Sequence, residues 1–376
     1  MPDPTVCVSI VTYNSERYIR KCLDALLGQD YPHLDVVVVD NASADGTRDI
    51  LYHYRSRVRI IYNHENVGFA AAQNQAIATS TASWALVLNP DVLLEAGFVR
   101  ALIEAARSDP HVGAVCGKLL SIGPGFVPLP EPRLDSTGMY FTPAMRHFDR
   151  GSRTADDGRF DRPEYVFGAS AAAALYSRQM IENISIHGQF FDANFFAYRE
   201  DADVAWRAQL LGWRTIYTPS AIGYHVRTVS PDNRGSVSAV INMHSVKNRF
   251  LLRIKNLTPG LWRKYWLPMT VRDLLVIGGC IVYEPRSLAA FWRLARCLAD
   301  AKQQRDWIMS RRRISDEALA QWFCSQSVSM PLTPFAAATC SSDVRGRAPR
   351  PETDRYTVAR AAPLLGHGKS PAGQEQ

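Results

Sequence analysis

Three short polar segments follow apolar runs in the N-terminal part of the chain, namely Thr12-Tyr13-Asn14, Asp40-Asn41 and Asn89-Pro90-Asp91. Polar groups at the carboxyl ends of parallel strands meet at one edge of an α/β sheet, where such sheets bind ligands. There Asp40 can accept hydrogen bonds from a base or a ribose, and Asp91 can bind a metal ion and through it a diphosphate. A simple turn is the alternative for Asn89-Pro90-Asp91 taken alone.

A glycine turn leads into an alanine-rich segment between the second and third of these sites. Gly68 allows the backbone to approach closely at the start of a helix, and the small side chains that follow let this helix pack against the sheet. We expect Phe69 and Asn74 on the side that faces the ligand. The alternative is an ordinary glycine turn before an alanine-rich helix.

Two later segments complete the candidate chemistry. Glu200 and Asp201 begin a predicted helix and follow the aromatic-rich segment 190–198. Apolar surroundings and like charge raise the pKa of one carboxyl group in such a pair, which suits a general base. An acidic helix start is the alternative, because the helix dipole favours negative charge there. His225 follows the last predicted strand, and a purely structural role is its alternative.

These residues require a sheet flanked by helices, and the apolar pattern predicts one. Near-continuous apolar strands that alternate with helices are typical of parallel sheets in α/β folds. Strands are predicted at 6–11, 34–39, 58–62, 84–88, 112–116 and 213–217. Helices are predicted at 19–27 with Ser15 as N-cap, at 47–54, 70–79 and 98–108, and from 200 to Gly212. We predict a strand, turn and helix for 165–176, and loops with short antiparallel strands for 121–163.

Several classes of protein are disfavoured by what the sequence lacks. Neither G-x-G-x-x-G nor G-x-x-x-x-G-K-[ST] occurs, so glycine-rich phosphate loops are absent and a metal ion is the natural partner for a diphosphate. The seven cysteines are scattered without a C-x-x-C pair, which favours reduced thiols in the cytoplasm over disulfides or a zinc site. The N-terminus lacks the basic and apolar regions of a signal peptide.

Positive charge is concentrated in the C-terminal half. Residues 247–313 contain fifteen Lys or Arg and four Asp or Glu, a balance of +11, whereas the whole chain carries +7. Aromatic residues lie among these cations, and 274–283 is apolar, which favours an amphipathic helix at a membrane surface. A solvated helical subdomain is the alternative, and nucleic acid is disfavoured because no nucleic-acid motif occurs. No uncharged apolar run reaches 20 residues, so no transmembrane helix is predicted.

The polar segments, in this order and at this spacing, resemble the motifs of glycosyltransferase family 2. The matching segments are VSIVTYN at 8–14, VVVDNASADGT at 37–47, NVGF at 66–69, LNPD at 88–91 and ED at 200–201. The resemblance extends over about residues 6–225 and is strongest to rhamnosyltransferase-type members that build bacterial cell-surface polysaccharides. It implies a GT-A fold, with a Rossmann-like, mostly parallel sheet, a small antiparallel part and a C-terminal helical extension. It also implies an inverting transfer from a nucleotide-diphosphate sugar.

The resemblance also implies roles for individual residues. Asp201, more than Glu200, is expected to act as the base, while Asp91 and His225 bind Mg²⁺ or Mn²⁺. Gly168, Ala169 and Ser170 are expected to form a wall on the acceptor side. The nucleotide-sugar site is expected to contain Thr12, Tyr13, Asn14, Asp40, Gly68, Phe69, Asn74 and Asn89. The expected partners are a nucleotide-sugar donor, a lipid-linked or polysaccharide acceptor and the inner face of the membrane.

One departure from the family pattern leaves a second interpretation open. The usual Asp-x-Asp is Asn89-Pro90-Asp91 here, so one carboxylate is missing, and strict dependence on metal does not follow. A catalytically degenerate nucleotide-binding or membrane scaffold is therefore the alternative. A nucleotidyltransferase would need a basic residue near the first loop to meet a triphosphate; Arg17 and Arg20 are available there, but the chain has no glycine-rich loop. We expect a catalytic domain at 1–245, a basic membrane-associated helical region at 246–325 and a disordered tail at 326–376, with the protein located in the cytoplasm at the inner membrane.

Overall fold

The computed structural model describes residues 3–227, 239–324 and 329–332. The predicted tail at 326–376 lies outside the described residues except for 329–332. The described residues belong to a single compact unit that ends at residue 333. The basic helical region predicted at 246–325 is therefore part of the same compact unit as the predicted catalytic domain.

Four parallel strands form the N-terminal half of the sheet, in the order β3-β2-β1-β4. They are β1 (Val6–Thr12), β2 (Leu34–Asp40), β3 (Arg59–Tyr62) and β4 (Trp84–Leu88). The helices between them are α1 (Ile19–Leu27), α2 (Thr47–Tyr54) and α3 (Phe69–Ala78). The predicted strands and helices are confirmed here to within two residues. β1 and β4 are almost completely buried, as their apolar composition requires.

The prediction of Ser15 as the N-cap of α1 is wrong. The helix begins at Ile19, and the residue before it is Tyr18. The Ser15 hydroxyl instead accepts a hydrogen bond from the Tyr13 backbone N–H at 3.2 Å, and its own N–H donates to the Thr47 hydroxyl at 2.8 Å. Ser15 thus joins the loop after β1 to the start of α2.

The rest of the sheet is mixed. Its elements are β5 (Val92–Leu94), α4 (Phe98–Ala106), β6 (Val112–Ser121), β7 (Leu134–Ser136), β10 (Glu164–Val166), β11 (Ala173–Ser177), β12 (Arg214–His225) and β13 (Met330–Pro331). β11 lies between β4 and β6 and is antiparallel to both, whereas β12 is parallel to β6. A separate hairpin contains β8 (Met139–Phe141) and β9 (His147–Asp149).

Two predictions in this half need correction. The helix predicted within 165–176 is wrong, because β10 is followed by a loop and then by β11, and α5 (Arg178–Ile184) begins only after Ser177. The Ser177 hydroxyl accepts a hydrogen bond from the Met180 N–H and caps this helix. The last predicted strand is also too short, because β12 continues through a register shift to His225. β12 therefore ends against β5, which follows Asp91 directly.

The helix that carries the acidic pair is buried almost throughout. α6 (Glu200–Leu210) packs Trp206 against Phe141 and Phe323, with ring centroids 5.1 and 5.2 Å apart. Gly168 faces this helix, and a Cβ there would lie 2.3 Å from the Ala205 side chain. The close contact requires glycine and holds the segment after β10 against the start of α6.

The C-terminal helices are α7 (Ala239–Asn256), α8 (Pro259–Val282), α9 (Ala289–Ser310) and α10 (Asp316–Ala320), with a 3₁₀ turn at Pro285–Leu288. Lys255 of α7 is fully buried and pairs with Asp192 and Asp203 at 2.7 and 2.8 Å. α8 has 24 residues and includes the apolar run from Leu274 that the sequence predicts as a short helix. Among the described helices, α8 is long and apolar enough to cross a membrane, by length and composition only.

Candidate active site

Asp40 is the centre of a hydrogen-bonded cluster at the end of β2. Its buried carboxylate accepts hydrogen bonds from the Thr12 hydroxyl at 3.0 Å, from the Ser43 hydroxyl and N–H at 2.5 and 3.2 Å, and from Arg48 Nε at 2.7 Å. These four donors match the roughly four lone-pair sites of a carboxylate. Asp40 therefore holds the loops after β1 and β2 in one arrangement.

The two other candidates after β1 differ in exposure and bonding. Asn14 has a left-handed backbone (φ 52°), its N–H donates to the Ser43 hydroxyl at 2.9 Å, and its Oδ1 accepts from the Ala44 N–H at 2.8 Å. The Tyr13 side chain is 53% exposed at the same strand end. The structure thus places Thr12, Tyr13, Asn14 and Asp40 together, as the sequence predicts, with the Tyr13 ring accessible from solvent.

Gly68 and Asn74 both contact the aromatic segment that precedes α6. Gly68 has φ 88°, and a Cβ there would lie 2.6 Å from the Phe196 ring and 2.7 Å from its carbonyl oxygen. Asn74 donates to the Phe191 carbonyl at 2.7 Å and accepts from the Phe191 N–H at 2.9 Å, while Phe69 packs edge-on against the Phe191 ring. Both ends of the Asn74 amide are engaged by the backbone, so in this structure Asn74 positions the aromatic segment.

Asp91 and His225 converge, although 134 positions separate them in the sequence. Asp91 Oδ1 lies 3.5 Å from His225 Nε2, and the other ring nitrogen, Nδ1, lies 2.7 Å from Asp135 Oδ2. Backbone bonding explains the approach, because His225 pairs with Val92 across β12 and β5. Burial alone would lower the pKa of His225, but the charges of Asp135 and Asp91 raise it to about 10.

Arg227 extends this group towards the acidic helix start. Its guanidinium donates to Asp135 at 2.7 and 3.1 Å and to Asp149 at 2.6 Å. Asp149 also accepts a hydrogen bond from Ser136 at 3.0 Å. The charge of Asp149 contributes to the raised pKa of Asp201, so the ion pairs that begin at Asp91 extend to within electrostatic reach of the acidic pair.

The backbone immediately before the acidic pair is strained. Phe196, Tyr198 and Arg199 all have positive φ values, of 66°, 68° and 73°. Such conformations cost of order 1–3 kcal/mol for residues with a side chain and persist only where the surroundings enforce them. Asn248 of α7 supplies part of that restraint, since its amide donates to the carbonyls of Phe195, Ala197 and Tyr198 at 2.8–2.9 Å.

Glu200 and Asp201 are neighbours but have different environments. Burial, and after it the charge of Asp201, raises the pKa of Glu200 well above its usual value, and Glu200 Oε2 has no hydrogen-bond partner among the described residues. Burial and then Asp149 raise the pKa of Asp201 to about 6. Asp201 accepts hydrogen bonds from the Ala202 and Ala171 N–H groups at 2.7 and 3.3 Å. Both carboxyl groups therefore hold a proton more tightly than usual, and Asp201, with a pKa of about 6, is mostly ionised at neutral pH.

The segment 168–172 connects the two ends of the site. The Ala171 N–H donates to Asp201, while the carbonyl of the next residue, Ala172, accepts from the Asn89 N–H at 2.8 Å. Gly168 and Ala169 are buried, and Ser170 is partly exposed. The structure thus brings Asn89 and Asp201 to neighbouring residues, Ala172 and Ala171, with Ser170 beside them.

Sequence reasoning missed Asp135, Asp149 and Arg227. The first two lie in the region 121–163, which we predict only as loops and short strands, and there each is one polar residue among many. Arg227 carries a signal that could have been used, because it follows His225 by two residues and so points to the same side of an extended chain.

Comparison with known proteins identifies the family. The pattern of the family described as Glycosyl transferase family 2 matches residues 7–185. The N-acetylglucosaminyl-diphospho-decaprenol L-rhamnosyltransferase of Mycobacterium tuberculosis is 30% identical over 238 residues, which cover 58% of this chain and 75% of that protein. The chain belongs to glycosyltransferase family 2. These two matches confirm the family resemblance and the enzyme class that the sequence motifs of this glycosyltransferase indicate.

Other similarities cover less or show only the fold. TuaG of Bacillus subtilis, named for teichuronic acid biosynthesis, is 36% identical over 91 residues, and the match spans 23% of this glycosyltransferase and 36% of TuaG. The structure of GalNAc-T7 with UDP, GalNAc and Mn²⁺ superimposes with a TM-score of 0.57 at 10% identity, covering 85% of this chain and 57% of that chain. The similarity to the GalNAc-T7 structure confirms the predicted GT-A fold.

Proposed function

We propose that this enzyme transfers a sugar, with a deoxyhexose such as rhamnose favoured, from a nucleotide-diphosphate donor to a lipid-linked acceptor by a metal-assisted, inverting displacement. The observation that carries the proposal is that two neighbouring residues, Ala171 and Ala172, hydrogen-bond to Asp201 and to Asn89. The proposed base therefore lies near the turn that contains Asp91. The preference for rhamnose and for a lipid-linked acceptor comes from the name of the mycobacterial relative.

In the proposed mechanism Asp201 accepts the proton of the acceptor hydroxyl as that oxygen attacks the anomeric carbon. The bond from this carbon to the donor diphosphate breaks in the same displacement, so the configuration inverts, as in inverting glycosidases. A carboxylate with a pKa of about 6 is mostly ionised at pH 7 and is more basic than an ordinary aspartate. The raised pKa of Glu200 disfavours a second negative charge beside Asp201.

Asp91 and His225 suit a divalent cation that binds together with the donor, and such a cation would replace the proton at His225 Nε2. No group of three or more His, Cys, Asp or Glu that could hold a metal ion exists among the described residues, but these two side chains converge at 3.5 Å. Mg²⁺ at diphosphates commonly uses one or two protein carboxylates, with phosphate oxygens and water completing the shell. Asp135 at His225 Nδ1 is the usual second partner of a metal-binding histidine. When bound, Mg²⁺ or Mn²⁺ would neutralise charge on the leaving diphosphate.

The experiment that tests the proposal is a donor screen with anomeric analysis. Purified enzyme would be incubated with dTDP-rhamnose first, then with UDP- and GDP-sugars, with and without Mn²⁺. We expect sugar transfer, or slow donor hydrolysis without acceptor, that requires the metal, and a product of inverted configuration. No turnover with any donor under any metal condition would instead favour the degenerate scaffold.

We also propose that α8 and α9 lie on the inner face of the membrane. Several large apolar side chains on these helices are half-exposed or more, namely Trp262, Trp266, Leu267, Leu274, Leu275, Val282 and Trp292. Arg253 of α7 pairs with Asp273 near the middle of α8 at 2.7 Å. Charges at the middle of a spanning helix are costly, so this pairing favours a helix in the plane of the interface.

Co-sedimentation with phosphatidylglycerol vesicles tests this membrane assignment. We expect the wild-type protein to bind, and the double substitution Leu274→Asp, Leu275→Asp to weaken binding strongly. Tyr52→Asp removes an equally exposed apolar side chain on α2 and serves as the matched control. Equal binding by all three proteins would reject α8 as the contact surface.

A further inference from the structure

Asn248 lies in the middle of α7 and is completely buried, although asparagine is a poor residue for the interior of a helix. Its Nδ2 atom donates to the backbone carbonyls of Phe195, Ala197 and Tyr198 at 2.8, 2.9 and 2.8 Å. Its Oδ1 atom has no hydrogen-bond partner among the described residues. An unpaired buried oxygen costs free energy, so we infer that this amide serves the bonds of its nitrogen rather than the stability of α7.

The segment 195–199, which Asn248 contacts, has a strained backbone. Phe196 has φ 66° and ψ −67°, and the Ala197 N–H donates to the Phe195 carbonyl at 2.8 Å, which together define a γ-turn of the rare, strained type. Tyr198 and Arg199 follow with φ values of 68° and 73°. Three unfavourable conformations within four residues persist only where neighbouring contacts enforce them.

The start of α3 contacts the same segment through Phe196. The Ala70 N–H donates to the Phe196 carbonyl at 3.2 Å. Gly68 packs against this residue so closely that a Cβ at Gly68 would lie 2.6 Å from the Phe196 ring. The acidic pair follows the segment directly in the sequence. Segment 195–199 therefore connects the glycine turn of the predicted donor site to the start of α6.

Two further polar side chains of α7 contact this region and are also buried. His244 stacks on Phe196 with ring centroids 4.7 Å apart, and Lys247 donates to the Asn194 carbonyl. Both residues lie within one helical turn of Asn248 on the same helix face. A whole polar face of α7 is thus engaged with the segment that leads into α6.

Apolar side chains on another face of α7 fix this helix against α8 and α9. Met243, Val246 and Phe250 form a cluster with side chains of those two helices, namely Val276, Cys280, Ala290 and Phe291. Side chains on an element that is itself packed hold neighbouring groups more accurately than side chains on loops do. α7 is therefore a suitable support for a strained catalytic segment.

We propose that Asn248 is a positioning residue for the transfer reaction. Through its three carbonyl contacts it holds segment 195–199, and so it sets the distance between two ends of the site: the donor end, which contains Asp40 and Gly68, and the acceptor end, which contains the base Asp201. The proposal rests on the proposed function, because it gives Asn248 an effect on the base of that reaction. Displacement of a reacting group by about 1 Å can cost about 10²-fold in rate.

The main test variant is Asn248→Leu, which is similar in size but has no hydrogen-bond donor. We expect kcat for sugar transfer to fall about 10–100-fold. The Kd of UDP or dTDP with Mn²⁺, measured by calorimetry, should stay near wild type, because Asp40 is held by its own hydrogen bonds. Asn248→Ser keeps one donor and admits water, so it should retain more of kcat than Asn248→Leu. This milder variant keeps the test decisive if Asn248→Leu does not fold.

Asn242→Leu is the matched control. Asn242 is a second buried asparagine on α7, but its amide donates at 3.5 Å to Glu284, after α8, instead of to segment 195–199. We expect this variant to keep the kcat of wild type, whatever its Tm. If Asn248→Leu loses nucleotide affinity as much as kcat, or if Asn242→Leu loses as much kcat, the amides support the fold in general and the positioning role is overturned.

Hydrogen exchange followed by mass spectrometry needs no turnover, and it separates this proposal from the proposed function. Asn248→Leu should speed the exchange of amides in 195–203 and leave those of β2 at wild-type rates. If the wild type turns over no donor, the proposed function fails, and faster exchange in the variant would still support Asn248 as the residue that holds the segment. Exchange in 195–203 at the wild-type rate, or wild-type kcat in Asn248→Leu, would overturn the proposal.

Discussion

The donor and acceptor ends of this glycosyltransferase differ in how completely their polar groups are paired. At the donor end Asp40 accepts hydrogen bonds from four donors, and the backbone N–H and the side-chain oxygen of Asn14 are both hydrogen-bonded. At the acceptor end Glu200 Oε2 and Arg249 Nη1 are buried without partners among the described residues. At the donor end the polar groups are paired within the protein, whereas the acceptor end holds buried polar groups to which a ligand could hydrogen-bond.

This difference indicates which end of the site lowers the free energy of unfolding of the enzyme. Buried polar atoms without partners and backbone with positive φ both cost free energy. The two occur together between Phe196 and Asp201 and on α7 beside them, whereas at the donor end Asn14 and Ala42 have positive φ but the Asp40 carboxylate is fully paired. Such costs are typical of sites that need particular charges for activity. We therefore expect substitutions at the acceptor end to reduce activity without destabilising the fold, and those at the donor end to affect both.

The largest expected effect is that of Asp201→Asn. An amide cannot accept the proton of the acceptor hydroxyl, so kcat should fall by about 10²–10⁴-fold. Donor affinity and Tm should stay near wild type, because the amide oxygen can still accept one backbone hydrogen bond. Steady-state transfer assays and calorimetry with the nucleotide measure these quantities. Wild-type-like turnover would reject Asp201 as the base.

The next effect concerns Asp135, which holds His225. Asp135→Asn weakens the hydrogen bond to Nδ1 and no longer orients the ring, so affinity for Mn²⁺ in the presence of UDP or dTDP should fall about 10–100-fold. Electron paramagnetic resonance of Mn²⁺ measures this binding without any turnover. Asp157→Asn, at an exposed ion pair with Arg159, is the control. Unchanged Mn²⁺ affinity would place the metal elsewhere.

The donor end could be predicted from sequence because its contacts are local. Thr12, Asp40 and Asp91 each follow a strand of obvious apolar composition, and parallel strands bring their carboxyl ends together without further information. The pairing of Asp40 with Ser43 and Arg48 also lies within one strand–helix unit. Strand pattern alone therefore locates this half of the site.

The acceptor end depends on contacts between distant segments. Asp149 lies on the short strand β9, as the His225 partner Asp135 lies on β7, and the apolar pattern does not place either strand. Asn248 meets the segment before α6 only because α7 packs under it. The misplaced helix within 165–176 has the same origin. β11 is inserted antiparallel between β4 and β6, and its apolar residues look alike in a buried strand and a buried helix.

A smaller effect is expected from Asp149→Asn on the pH dependence of transfer. Asp201 must be ionised, so kcat/KM should fall below about pH 6 in the wild type. Burial is the larger cause of the raised pKa of Asp201, and the charge of Asp149 is the next. Removing the charge of Asp149 should therefore shift the acidic fall in kcat/KM to lower pH, while activity at pH 8 changes little. The pH profile of kcat/KM measures the shift. A limb that stays near pH 6 would show that burial alone determines the pKa.

The smallest expected effect is that of Glu200→Gln on the free energy of unfolding. Whether the variant is more or less stable than wild type tests the difference between the donor and acceptor ends most directly. The pKa of Glu200 is raised in the folded chain, so Glu200 keeps its proton to a higher pH there than in the unfolded chain, where it ionises above about pH 4.3. Its contribution to stability is therefore full below that pH and is lost progressively as the pH rises. Glutamine mimics the neutral acid, so the variant should match wild type near pH 4 and be slightly more stable at pH 7. Denaturant unfolding at both pH values measures this. A variant less stable at pH 7 would mean that Glu200 is a paired structural acid, and that the acceptor end is as fully satisfied as the donor end.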